Sequence, residues 1–302
     1  MSANQNQNRA DAGAGPGWRA TLALLQRLPQ PAMSRAFGRL ADVRIPRPLR
    51  PAVLRAFARA VGADLMEVEL PLVEYATLDS FFVRRLRPGA RPWPAEPTAL
   101  GSPVDGIIGQ TGMADGDTLL QAKGRTYSAA ALLGDASDAA AFRDGVFATL
   151  YLSPRHYHRI HSPASGVVVA ARHVPGALMP VNRVASAHLA NLFPRNERVI
   201  AHLATVAGAA AVVAIGAYNV GRISAAFDPA WADGRGVSNR RGARPETRRY
   251  DPARRVERGD ELMAFHLGST VVLLFEAGRV RLVDGLRPGM EVRLGQPLGH
   301  VV

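Results

Sequence analysis

Apolar residues along the chain keep two periods, one helical and one extended, and the change between them falls near residue 100. Leu22, Leu24, Leu25 and Leu28 share one broad stripe of a short helix that Pro29 ends. Met33, Phe37 and Leu40 form a narrower stripe on a second helix, with Arg35 and Arg39 opposite. Pro46, Pro48 and Pro51 then interrupt the chain, and Val53, Leu54, Phe57 and Val61 predict a third helix whose far side carries Arg55 and Arg59. From Leu100 onward, short apolar runs are punctuated by Gly and Pro. Val146 to Leu152, Gly166 to Ala170, Val199 to Ala207, Ala210 to Tyr218, Thr270 to Phe275 and Val280 to Val283 read as strands. Trp231 to Arg255 is rich in Gly, Pro and Arg without a period, and predicts a mobile loop. The pattern gives an α+β chain, with a disordered leader over 1–17, a helical segment over 18–99 and a β-rich domain over 100–302.

Composition narrows the function classes. The 302 residues hold no cysteine, so disulfides, thiolate zinc sites and cysteine nucleophiles are excluded. No run of about 18 uninterrupted apolar residues occurs. The charge-free stretch from Val199 to Gly221 is broken by His202, Thr205, Gly208, Gly216 and Asn219 and reads as two buried strands. Met1 to Gly17 lacks the apolar core of a signal peptide. The net charge of +12 is almost all arginine, a side chain suited to phosphate on lipid or nucleic acid, although a genomic bias toward Arg gives the same composition. Lys123 is the only lysine, so a pyridoxal phosphate aldimine would have one possible anchor. The Gly-bounded pieces Gly166 to Val174 and Gly289 to Leu298 resemble the hairpins of biotinyl and lipoyl carrier modules, but contain no lysine to carry a group. The amphipathic helices suit a bilayer interface, and equally suit packing on the β-rich domain.

Three segments carry candidate chemistry. In Leu267-Gly268-Ser269-Thr270 a serine follows a residue without Cβ, so the Ser269 hydroxyl has access to the Gly268 carbonyl. Ser102-Pro103-Val104-Asp105-Gly106 supplies an acid, and Tyr151 to Pro163 supplies His156, His158 and His161. Acid, imidazole and hydroxyl together activate a weak nucleophile. The same histidines admit a second reading, because His156 and His158 share a face of an extended segment and a His-x-His pair with a distant Asp suits a zinc hydrolase. A third reading is a non-enzymatic, basic phosphate-binding scaffold.

Together these segments resemble phosphatidylserine decarboxylase, a bacterial self-processing family. The likeness extends through Phe81-Phe82-Val83-Arg84, Gln121-Ala122-Lys123-Gly124, Tyr127-Ser128, Asn191-Leu192-Phe193, Arg195 to Arg198, Gly216-Ala217 with Val220-Gly221, and Gly295 to Leu298, so it covers roughly Thr77 to the end. The resemblance implies a self-processing triad of Asp105, His161 and Ser269, with cleavage between Gly268 and Ser269, and gives His158 a part in decarboxylation. Ser269 would become a covalent pyruvoyl group, the electron sink for turning phosphatidylserine into phosphatidylethanolamine, with no metal. The two cleavage products would stay together as a heterodimer, with a homo-oligomer possible, docked peripherally through the helical segment on the anionic cytoplasmic face of the cell membrane. Nucleic acid is not expected as a partner. Four features depart from the family pattern: His156 where an acid is expected, Met263 for a glycine, His266 where lysine is frequent, and the N-terminal leader, which has no counterpart in it.

Overall fold

Thr270 to Phe275 is an unbroken run of β-branched and large apolar residues, a composition that fits a strand covered on both faces. The computed structural model describes residues 30–218, 222–232, 237–266 and 269–302, with only the backbone of 183 and 184. The run is buried at all six positions. The strands in chain order are β1 (Ala99–Gly101), β2 (Gly106–Met113), β3 (Thr118–Ala122), β4 (Arg125–Ser128), β5 (Val146–Tyr151), β6 (Arg159–His161), β7 (Gly166–Val174) and β8 (Arg198–Thr205). They continue as β9 (Gly208–Ile215), β10 (Ile223–Ala225), β11 (Glu246–Val256), β12 (Glu261–Phe265), β13 (Thr270–Phe275), β14 (Val280–Leu282), β15 (Glu291–Val292) and β16 (Pro297–Val301). An eight-stranded sheet has the order β11-β7-β8-β9-β13-β5-β2-β15, and a three-stranded sheet the order β10-β12-β6. Every pairing between these strands is antiparallel.

The helical segment has its own small core. Helices α1 (Gln30–Ala41) and α2 (Arg50–Val61) follow the predicted second and third helices. Gly62 ends α2 in the left-handed region at φ 78°, where a side chain would be strained. The first predicted helix and the leader lie outside the described residues, with Leu24 and Leu25. Helix α3 (Leu78–Phe82) starts on a capping box between Thr77 and Ser80, and its Phe81 meets Phe57 and Tyr75 edge to face. Leu54 is fully buried in this core and Phe57 partly so, which removes both from the interfacial face read from sequence. Phe37 and Leu40 are exposed, at 42% and 63%.

Two sequence readings are corrected. Residues 246–255 of the supposed loop belong to β11, which pairs with β7 around a register shift between Arg249 and Arg254. Its side chains are mostly exposed, so an edge strand shows no apolar alternation to read. Gly166 to Val174 is not a hairpin of its own but a single strand held between β8 and β11. The Gly289 to Leu298 piece is divided, β15 joining β2 and β16 joining β1 and β14.

Candidate active site

The site is set where β5 gives way to β6 and β12 gives way to β13, between the large and the small sheet. Strands β5 and β13 are neighbours in the first, and β6 and β12 in the second. Residues 152–158 connect β5 to β6, and His266 and Ser269 follow β12 and precede β13 respectively. Leu152 N–H donates to the Ser269 carbonyl at 2.7 Å, and Phe265 N–H donates to the His158 carbonyl at 2.9 Å. Four peptide links separate Phe265 from Ser269, a reach of at most roughly 15 Å. The ends of β5, β6, β12 and β13 thus meet at one corner, with the His158 backbone tied to Phe265 and the Ser269 backbone tied to Leu152.

Each brings an unused polar atom to that corner. Ser269 is 1% exposed and its Oγ has no hydrogen-bond partner among the described residues. His158 is fully buried, and its Nδ1 donates to the His156 carbonyl at 2.8 Å, which leaves the unpartnered Nε2 with a lone pair. Burial, with the Arg84 guanidinium second, holds this imidazole well below its ordinary 6.5, so it is a neutral base at pH 7. The Phe82 ring lies against it, tilted by 42° at 4.0 Å between centroids, and restricts its rotation.

His161 and Asp105 stand apart from this pair. His161 lies opposite Glu261, at the end of the β6–β12 ladder away from Ser269. Its Nδ1 is 2.6 Å from the Gly259 carbonyl and its Nε2 is 3.0 Å from the Tyr157 hydroxyl. Burial lowers its pKa as well. Gly259 presents that carbonyl from a turn at φ 93°, where a Cβ would also press on Trp93 at 3.0 Å. Asp105 accepts from Arg91 Nε at 2.8 Å, Arg91 Nη2 at 2.7 Å and Leu294 N–H at 2.8 Å. Burial alone would raise this carboxyl, but the Arg91 fork and the Leu294 N–H outweigh it and hold it below the ordinary carboxylate range. The hydrogen bonds among the described residues do not join Asp105 to His161, although His161 N–H donates to Pro103 at 2.9 Å and brings the two loops together. Gly268 lies outside the described residues.

The zinc reading finds no ligand set. His156 Nδ1 is taken by the Ser153 N–H at 3.0 Å, and no group of three or more His, Asp and Glu among the described residues could hold a metal ion. Four contributors have no role in the sequence reading: Arg91, Tyr157, Gly259 and Phe82. Phe82 and Tyr157 fall inside the recognised segments, whereas Arg91 and Gly259 give no signal, because the groups they hold are distant in sequence.

Beside the corner lies a cavity of about 310 Å³ bounded by Thr270, Tyr151, Ile108, Phe193, Gln121 and Lys123. The Thr270 hydroxyl is buried there without a partner. Lys123 is exposed on the β3–β4 turn at φ 48°.

Residues 78–300 match the family model for phosphatidylserine decarboxylase. A phosphatidylserine decarboxylase proenzyme of Anaeromyxobacter sp. (strain K) is 48% identical over 93% of this chain and 98% of its own length. The proenzymes of Myxococcus xanthus and Brevibacillus brevis are 42% and 37% identical, over 92% and 91% of this chain and 97% and 95% of their own lengths. The chain belongs to the phosphatidylserine decarboxylase family.

Proposed function

We propose that this chain converts phosphatidylserine to phosphatidylethanolamine and carbon dioxide with a pyruvoyl group made from its own Ser269. The observation that carries this reading is the pair of unused atoms at the corner, Ser269 Oγ and His158 Nε2, both buried. A buried hydroxyl without a partner loses the stabilisation that water would give it, by about 1–3 kcal/mol, so its retention calls for a reason. Reaction supplies one. Proton transfer from Ser269 Oγ to a neutral imidazole accompanies attack on the Gly268 carbonyl, and the peptide C–N bond gives way to an ester. Elimination breaks the Ser269 Cβ–Oγ bond and frees the Gly268 carboxylate. Addition of water to the remaining dehydroalanine releases ammonia and leaves the ketone. When present, that ketone supplies the electron sink for loss of carbon dioxide.

The family resemblance gives His161 the first proton transfer and Asp105 its support. The hydrogen bonds favour a second division of labour, because both His161 nitrogens are engaged and His158 Nε2 is not. In that division His158 serves Ser269, while His161, held by Gly259 and Tyr157, braces the β6–β12 ladder. The cavity, at the low end of the roughly 300–1,000 Å³ range of ligand sites, suits a headgroup rather than two acyl chains. Lys123 stands at its edge as a counter-charge.

No helix among the described residues is long and apolar enough to cross a membrane. Phe37, Leu40 and Val43 are exposed together at the end of α1, beside exposed Arg39 and Arg44, which supports peripheral docking on the anionic cytoplasmic face of a bilayer. Intact mass under denaturing conditions tests the core of the reading. The expected result is two chains, one ending at Gly268 and one running from the former Ser269 to Val302, and a single uncut chain for Ser269→Ala. Cleavage that persists in Ser269→Ala sinks it.

A further inference from the structure

His266 directly follows β12, three residues before Ser269, and its backbone N–H and both ring nitrogens are held. Its N–H donates to the Arg222 carbonyl at 3.0 Å. Its Nδ1 lies 2.9 and 3.1 Å from the two Asp79 oxygens, and its Nε2 lies 3.2 Å from Ser224 Oγ. Both His266 and Asp79 are buried, at 6% and 7% exposure. Asp79 also receives Arg222 Nη2 at 2.8 Å, and Arg222 forks onto Asp42, just past α1, at 2.8 and 2.9 Å. On the other side of the link, the Ser269 carbonyl is bonded to Leu152, and Thr270 is in register with both Tyr151 and Ile215. Only residues 267 and 268 lie between two fixed points.

Fixing His266 and Ser269, three residues apart, limits how far Ser269 can shift relative to the end of β12. Attack of a serine on the carbonyl just before it requires one particular approach, and misplacement by about 1 Å can cost some 100-fold in rate. The partners of His266 come from parts of the chain remote from the link, Asp79 on α3 and Ser224 on β10. The anchor is therefore built by the tertiary fold rather than by the loop itself. We propose that His266, held by Asp79 and Ser224, is a positioning residue for self-cleavage, and that the chain Asp79–Arg222–Asp42 makes the helical segment part of the processing machinery. This rests on the reading that cleavage falls between Gly268 and Ser269. His266 touches neither reacting atom; it fixes where the link begins.

The test is the rate at which full-length chain, freshly made by cell-free synthesis, splits in two, followed by intact mass. His266→Ala and Asp79→Ala should each slow splitting by 10- to 100-fold, and the double variant should be no more than about twofold slower than the slower single one, because both remove the same contact. His266→Asn, whose amide nitrogen sits where Nδ1 sits and still donates to Asp79, should return to within about fivefold of wild type. Thermal melting of each variant in a Ser269→Ala background, which keeps the chain whole, separates positioning from loss of fold. The proposal is overturned if His266→Ala splits within twofold of wild type, if His266→Asn is no faster than His266→Ala at equal melting temperature, or if the single losses multiply. Where His266→Ala does not fold, Asp79→Asn takes its place, and a wild-type rate in that variant overturns the proposal. A wild-type chain that never splits overturns the cleavage reading and the proposal with it. A wild-type chain that splits while Ser269→Ala does not leaves the reading standing whatever the His266 variants do.

Discussion

Two histidines three residues apart end in unlike surroundings, and on the proposed function the difference would give them separable jobs. His158 is fully buried with a free Nε2, whereas His161 has both nitrogens occupied. On this geometry His158→Ala should leave an uncleaved chain, while His161→Ala should still cleave, slowed by about tenfold or less through the loosened ladder. The opposite result, arrested cleavage in His161→Ala alone, would return the base role to His161, and intact mass reads either outcome. Burial also sets a pH dependence. Since the His158 pKa lies well below 6.5, self-processing should be flat across pH 7 to 8 and fall only in acid below that value. A rate that halves near pH 6.5 would show a solvated imidazole instead. Gly259→Ala offers a third reading of the same neighbourhood. Its left-handed φ and the Trp93 contact make the substitution destabilising by about 1–2 kcal/mol, and it should displace the carbonyl that orients His161. None of this is legible in sequence, because Gly259 looks like any turn glycine until His161 is laid across from it.

Elements with a clean period were legible, and elements whose period is masked by exposure were not. Thr270 to Phe275 was readable to the residue because both faces of β13 are covered. β11 was unreadable because an edge strand with Arg248, Arg249, Arg254 and Arg255 alternates nothing apolar. Helix α1 sits between these cases: its stripe was readable, but sequence could not say what covers it. The structure packs Ser34 and Ala41 inward and leaves Phe37 and Leu40 exposed, with Val43 following. Arg35 is tied to Asn239 at 3.1 Å, so Arg39 and Arg44 are better placed for lipid phosphates. Replacing Phe37, Leu40 and Val43 together by serine should weaken cosedimentation with anionic vesicles by tenfold or more, because each large side chain contributes roughly 1.5–3 kcal/mol when buried. Reversal of Arg39 and Arg44 should weaken it mainly at low salt. Unchanged binding in the triple variant would place the docking surface elsewhere, while cleavage in the same variant should proceed as in wild type.

Across the whole molecule, the arginine excess proves to be partly internal. Arg198 is buried and donates to the carbonyls of Ala131, Leu132, Pro194 and Asn196, and burial lowers its pKa to about 10. Arg91 joins Asp105 to Glu67, and Arg222 joins Asp42 to Asp79. Net charge read from sequence could not divide such ties from a phosphate-binding surface, since both use the same side chain. The division has a consequence for stability. His158, His161 and His202 are all held below 6.5 by burial, so the unfolded chain binds their protons more readily than the folded one. Their neutral burial is without penalty above pH 6.5 and costs stability progressively as pH falls below it. Asp79 and Asp105, held below 3.8 by their partners against the effect of burial, contribute stability that is complete above that value and is lost as pH falls through their lowered pKa values. Acid should therefore act in two stages, imidazoles first and carboxylates after. Measured on the uncut Ser269→Ala chain, the melting temperature should be roughly 5 °C or more lower at pH 5.5 than at pH 7.5, given that 1 kcal/mol moves it by about 2–4 °C in a large domain. His202→Gln removes one of the three imidazoles away from the cleavage corner and should reduce that difference. A melting temperature that is level or rises between pH 7.5 and 5.5 would show that these imidazoles reach solvent, and would undo the buried neutral base on which the His158 assignment depends.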